Sequence, residues 1–197
     1  MIGKFRSWVG ENSFLRQAVV LTVGTLLGRA IAVLAMPVLT RIYSPDDFSV
    51  LASYSAILGM LAVIACLRLE IAIPMPEDED IALDLLTLSL ICTIAVALIT
   101  VVVLLLAFDP ILSALSAVDT ALVLWLVPLG GLLVGSYQAF QFWATRQKLF
   151  TDIARTRVGQ AAAGVVAMLG LGAMSVGPVG LSLGHMLMSG AGALGLA

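Results

Sequence analysis

Charge is scarce in this 197-residue chain. Asp, Glu, Lys and Arg make up 11% of it, 12 acids against 10 bases, for a formal charge of −2. Soluble domains carry about 25% charged residues and about 45–50% apolar ones. Here the hydrophobic share is 61%, which excludes a soluble globule. The lack of a basic excess argues against nucleic acid as a partner. Histidine occurs once, at His185, with no companion at ligand spacing, so no metal site is expected. Cysteine occurs twice, Cys66 and Cys92, both inside apolar runs. These read as small packing residues rather than a disulfide framework. No P-loop, nucleophile elbow or H-E-x-x-H is present, so ATP-driven and hydrolytic mechanisms have no residues to run on. The chain therefore reads as a non-enzyme, and no cofactor is implied. Lys4 and Arg6 precede an apolar run, but no small-residue cleavage site follows. That stretch reads as an uncleaved first span.

What the chain does contain is long apolar runs. They are continuous rather than alternating, which points to helices and not to a barrel. Six are visible, at about 17–40, 48–70, 83–107, 121–143, 157–174 and 178–197. Each has about 17–25 residues, enough for a hydrocarbon core of about 30 Å. The expected fold is all-α, a polytopic transmembrane helix bundle of about six spans over residues 1–197, with no soluble domain. The chain stops inside the last run, at Ala197, with no basic anchor, as a truncated chain would.

Lys and Arg placement sets the orientation. Lys4, Arg6 and Arg16 precede span 1, and Arg146, Lys148, Arg155 and Arg157 lie between spans 4 and 5. Six spans with a cytoplasmic N-terminus put both clusters inside. Glycines recur at spacing four, at Gly24/Gly28, Gly131/Gly135 and Gly180/Gly184. Such pairs let helix backbones approach closely, here within one chain rather than between two.

Arg29 lies near the middle of span 1. An arginine at that depth costs roughly 2.5–3.5 kcal/mol on insertion scales, so something must compensate it. At 100° per residue, Thr22, Thr25 and Thr40 all fall within about 40° of Arg29. The stripe reads as an anion site facing a central cavity, or else as one half of a structural pair or a snorkelling side chain. Pro37, near the outer end, serves as a hinge or a bend.

Elsewhere the polar residues read more plainly. Arg68 and Glu70 face about 160° apart on a helix and cannot pair, so both are expected to anchor at the interface. Asp78-Glu79-Asp80 contains a D-x-D pattern, but acids before a helix N-terminus are favoured by its dipole. In span 4, Gln138, Gln141 and Thr145 share a face. The two amides either bind a sugar or tie helices together. Tyr137, Phe142, Trp143 and Phe150 suit an interfacial aromatic belt.

Three stretches in order carry a resemblance. LTRIYSPDDFSVLASYSAI (39–57), LRLEIAIPMPEDEDIALDLLTLSL (67–90) and YQAFQFWATRQKLFTDIARTRVGQ (137–160) resemble segments of bacterial lipid-linked oligosaccharide flippases. These O-antigen and polysaccharide exporters belong to the multidrug/oligosaccharidyl-lipid/polysaccharide exporter superfamily. The resemblance departs at Ser49, where relatives often carry glycine, and covers only the first of two six-helix lobes. It implies flipping of an undecaprenyl-pyrophosphate-linked oligosaccharide across the bacterial inner membrane by alternating access. The partners it implies are that lipid, membrane lipids and the polysaccharide polymerase machinery. It further implies pyrophosphate contacts from Arg29, Thr22 and Thr25, and sugar contacts from Gln138 and Gln141. Headgroup contacts at the cytoplasmic face would come from Arg146, Lys148, Arg155 and Arg157. The alternatives are a multidrug/cation antiporter of the same superfamily, which would place acids in its cavity, and a non-transporting fragment or scaffold.

Overall fold

A computed structural model describes residues 2–115 and 121–196, leaving aside the side chains of residues 2–18, 113–115 and 194. Lys4, Arg6, Arg16, Asp119 and Ala197 thus fall outside the described side chains. The described residues form helices and no strand, so the all-α expectation holds. In order they are α1 (Ile2–Ile42), α2 (Pro45–Ile64), a 3-10 turn (Leu69–Ala72), α3 (Glu79–Leu115), α4 (Ala121–Arg146), α5 (Phe150–Ala173), α6 (Pro178–Gly190) and α7 (Ala193–Leu196).

Among the described residues four helices are long and apolar enough to cross a membrane: the Val19–Ile42 part of α1, α2, the Glu79–Leu112 part of α3, and α4. The chain is an all-helical membrane protein. Helix α5 has 24 residues, but Asp152, Arg155 and Arg157 occupy its first turns. Helix α6 has 13 residues, about 20 Å at 1.5 Å per residue and short of a full crossing. The run expected over 178–197 is interrupted after Gly190, where Ala191 and Gly192 separate α6 from α7.

Local chemistry explains most boundaries. Helix α1 passes through Pro37 unbroken, although proline leaves the carbonyl four residues earlier without its usual donor. Ser44 then caps α2. Its hydroxyl accepts from the Asp47 amide at 3.2 Å, while the Asp47 carboxylate accepts from the Ser44 amide at 2.8 Å. Such a reciprocal box satisfies two orphan donors, and a good N-cap contributes about 1 kcal/mol.

Helix α2 ends at Ile64, earlier than the expected residue 70. Leu67 and Arg68 adopt left-handed φ of 49° and 61°, a conformation that cannot continue a right-handed helix. This overturns the interfacial reading of Glu70. The residue lies in the 3-10 turn, is 3% exposed, and its Oε2 has no hydrogen-bond partner among the described residues. Arg68 is exposed. Helix α3 breaks at Ala107 (φ −124°), three residues before Pro110. The missing N–H and the ring clash of Pro110 fall on the carbonyl of Leu106, which places the break where span 3 was expected to end. Glu79 and Asp80 occupy the first turn of α3, as the helix dipole favours.

Glycines set the packing. A Cβ at Gly24 would lie 2.5 Å from the Ala154 Cβ, and one at Gly28 would lie 3.2 Å from the Arg157 carbonyl oxygen. Rising numbers on α1 meet rising numbers on α5, so these helices run parallel. Gly135 fits against Thr93 and Ala65, and Gly184 against Met168 and the Gly164 carbonyl. All three glycine pairs thus serve packing within the chain. Close backbone approach replaces the hydrophobic drive that lipid cannot supply. Apolar cores lie between α2, α4 and α6, around Tyr54, Val127 and Met186, and between α1, α5 and α6, around Leu39, Val165 and Leu181. At one end of the bundle the Tyr43 hydroxyl donates to the Met168 carbonyl at 2.7 Å.

Candidate functional site

The parallel contact of α1 with α5 brings two arginines to one cavity. Its volume is about 210 Å3. Helix α1 contributes Thr25, Gly28 and Arg29, and α5 contributes Arg157, Gln160 and Ala161. Tyr137 of α4 and Ser189 of α6 complete the polar wall. On α1, Thr25 and Arg29 are one turn apart on the same face. On α5, Arg157 stands at i with Gln160 and Ala161 at i+3 and i+4, again one face.

The geometry is set by small residues. Because Gly28 lets the α5 backbone close in, the Arg157 guanidinium reaches across the seam. It donates from Nη1 to the Thr25 hydroxyl at 3.2 Å. That hydroxyl in turn donates to the Leu21 carbonyl at 2.8 Å. Thr25 therefore acts as acceptor towards Arg157 and donor towards its own helix, which fixes the direction in which it can receive the guanidinium. The Tyr137 hydroxyl lies close enough to Arg157 to feel its charge. Gln160 is 6% exposed, and its Nε2 has no partner among the described residues.

The lining is therefore rich in donors and holds no acid. Two guanidiniums, the Gln160 amide NH2 and the hydroxyls of Tyr137 and Ser189 converge there, and no carboxylate among the described residues lines the cavity. Of these groups Tyr137 and Gln160 are buried, Arg157 is half-buried and Arg29 is exposed; a buried donor left unpaired costs about 1–3 kcal/mol. An anion entering the cavity would satisfy several at once, and guanidinium forks match phosphate oxygens in pairs.

The other expected site residues fall elsewhere. Thr22 is exposed and lies outside the cavity lining. It shares the azimuth of Arg29 but sits seven residues, about 10 Å, away along the axis. Gln138 and Gln141 are half-buried and do not line the cavity. The Oε1 of Gln138 has no partner among the described residues, and the Gln141 backbone carbonyl accepts from the Thr145 hydroxyl at 2.7 Å. Tyr137 is buried and faces the cavity, not the interfacial belt expected of it. Lys148 is exposed with φ of 59° in the turn between α4 and α5.

Arg146 has a different task from the expected headgroup contact. Its guanidinium donates to the backbone carbonyls of Ile73 (3.4 Å), Pro76, Glu77 (3.2 Å) and Asp78 (3.3 Å). One side chain thus gathers the loop between the 3-10 turn and α3 and holds it to the end of α4. Arg155 is exposed on the opposite flank of α5 from Arg157 and lines a second groove.

By sequence alone Arg157 belongs with the cytoplasmic basic cluster, and Gln160 and Ser189 do not stand out. The signal available was the i, i+3, i+4 run Arg157–Gln160–Ala161, which reads as a site only once α1 is known to pack against it.

Together these features define a helical membrane protein with a cationic cavity between its first and fifth helices. No protein-family model, curated protein or solved structure matches the chain.

Proposed function

We propose that this chain is one lobe of a lipid-linked oligosaccharide flippase, with the Arg29–Arg157 cavity as the seat of the pyrophosphate. The observation that carries the reading is the convergence of two guanidiniums on one acid-free cavity. A pyrophosphate brings negative charge and several acceptor oxygens. Arg29 and Arg157 would grip these oxygens, with Gln160 and Tyr137 as further donors. Thr25 would act as a positioning residue, through its hydrogen bond to Arg157. Arg29 then has its compensation in the cargo rather than in a resident acid.

Transport follows by alternating access, without covalent chemistry. The headgroup leaves one leaflet, exchanges water for guanidinium contacts, and is released when the cavity opens to the other side. Gln138 and Gln141 stand near Tyr137 on α4 as the proposed sugar contacts. The parallel run of α1 and α5 supports the proposed orientation: both helices begin on the same side, as a cytoplasmic N-terminus and a cytoplasmic 4–5 loop require. The bacterial inner membrane and the polymerase machinery belong to the same proposal. A drug/cation antiporter, by contrast, needs an acid where the cargo's positive charge rests.

The test is binding of a short-chain polyprenyl pyrophosphate to the purified chain. Arg29→Ala and Arg157→Ala should each weaken binding about tenfold or more, the scale of one charge-assisted contact. The uncharged polyprenol should bind poorly to all forms. Unchanged affinity in both variants would sink the proposal.

A further inference from the structure

The α1–α5 seam has a second flank, and a groove of about 680 Å3 runs along it. Val19, Val23 and Leu27 of α1 form one wall, and Thr151, Arg155 and Val158 of α5 the other. The three α1 side chains are exposed. Thr151, Arg155 and Val158 follow at i, i+4 and i+7, a single stripe on α5. Gly159 also opens on this groove, and a Cβ there would meet nothing within 4 Å. Among the described lining residues Arg155 carries the one charge.

The parallel packing gives the groove a polarity. Ala154 lies level with Gly24, so Thr151 and Val19 mark the same end, where the apolar part of α1 begins and α5 starts. Arg155 stands one turn above that end and can bend its guanidinium down towards the headgroup layer. The groove is thus an apolar trough with a cation at one mouth. Its volume is in the range of sites that enclose most of a small ligand, about 300–1,000 Å3.

We infer that this groove is a resident site for one anionic phospholipid of the leaflet at which α5 begins. The phosphate rests on Arg155, with the Thr151 hydroxyl beside it, and an acyl chain lies between α1 and α5. Charge complementarity selects an anionic headgroup over a zwitterionic one, whose own cation would meet Arg155. The lining itself offers a second copy of the chain no acid to meet the partner's Arg155 across a two-fold axis. The lipid is distinct from any amphiphile held by Arg29 and Arg157. Gly24 against Ala154 and Gly28 against the Arg157 carbonyl close the seam between the two cavities.

The test is lipid retention, a readout independent of transport and of the Arg29–Arg157 cavity. The purified chain is loaded with phosphatidylglycerol or phosphatidylcholine, washed in detergent, and its bound lipid counted by native mass spectrometry. The wild type should keep about one phosphatidylglycerol per chain, in roughly tenfold preference over phosphatidylcholine. Arg155→Ala should abolish the preference. Gly159→Leu should fill the trough and expel both lipids without lowering the melting temperature. Gly170→Leu, at another α5 glycine with open space around it, should retain lipid like the wild type. Equal retention by the wild type, Arg155→Ala and Gly159→Leu would overturn the inference. So would efficient disulfide linkage of two chains through Gly159→Cys in vesicles, which would make the trough an interface between copies.

Discussion

Arg157 of α5 donates to the hydroxyl of Thr25 on α1 across 3.2 Å, although 132 residues separate them in sequence. The bond joins the one residue of the basic 4–5 segment that faces inward to the polar stripe of the first span. It converts two unrelated features of the sequence into one cavity.

Thr25→Val removes the acceptor but keeps the shape of the side chain. Arg157 should then lose its fixed direction, and polyprenyl pyrophosphate should bind several-fold more weakly, about the worth of one hydrogen bond to a charged group. Thr25→Ser should restore the affinity. Equal affinities for valine and serine variants, measured by titration calorimetry, would show that the hydroxyl positions nothing.

Gly24→Leu should destabilise the α1–α5 pair. The added Cβ would lie 2.5 Å from the Ala154 Cβ and 3.0 Å from its Cα, and overpacking of this kind costs about 1–3 kcal/mol. Gly59→Ala is the control, because a Cβ at Gly59 meets nothing within 4 Å. It should be neutral or stabilising by up to about 1 kcal/mol, through helix propensity. Thermal unfolding in detergent separates the two.

Arg146→Ala should free the segment between the 3-10 turn and α3. Four carbonyls lose a charged donor at once, so amide exchange over residues 74–80 should accelerate at least tenfold. Arg146→Lys should recover only part of the protection, because an ammonium lacks the planar fork. Exchange measured by mass spectrometry after peptic digestion gives the answer.

Tyr43 provides a pH-dependent test in the turn between α1 and α2. Burial, and then the charge of Asp47, push its phenol above the ordinary value of 10.0. The folded state therefore holds this proton more tightly than the unfolded chain does. The stabilisation is fully present below about pH 10 and is lost as pH rises through the folded value. Wild-type stability should decline above about pH 10 more steeply than that of Tyr43→Phe. At neutral pH the phenylalanine variant should be less stable by about 1 kcal/mol, for loss of the bond to the Met168 carbonyl. Parallel alkaline unfolding curves would contradict this.

The helical class, and the place of Arg29 within the first long apolar helix, were legible from apolar run length. The break near residue 107 was legible too, because Pro110 acts on its own helix. Distance along the axis was harder to judge. Thr22 matches Arg29 in angle and differs from it in height, a difference that phase alone does not show. Arg157 was hidden for the opposite reason. Three other bases surround it, and a basic loop read by composition does not reveal that one member turns inward. The end of α2 had no signal at all, since neither Leu67 nor Arg68 is a residue that favours a left-handed backbone.

The most direct test of the account is a double-mutant cycle on Arg29 and Arg157, with polyprenyl pyrophosphate affinity as the readout. If both guanidiniums hold one anion, the losses in Arg29→Gln, Arg157→Gln and the double variant should fail to add by at least about 0.5 kcal/mol. Additive losses, or none, would mean that the two arginines do not share a ligand and would contradict the proposed site.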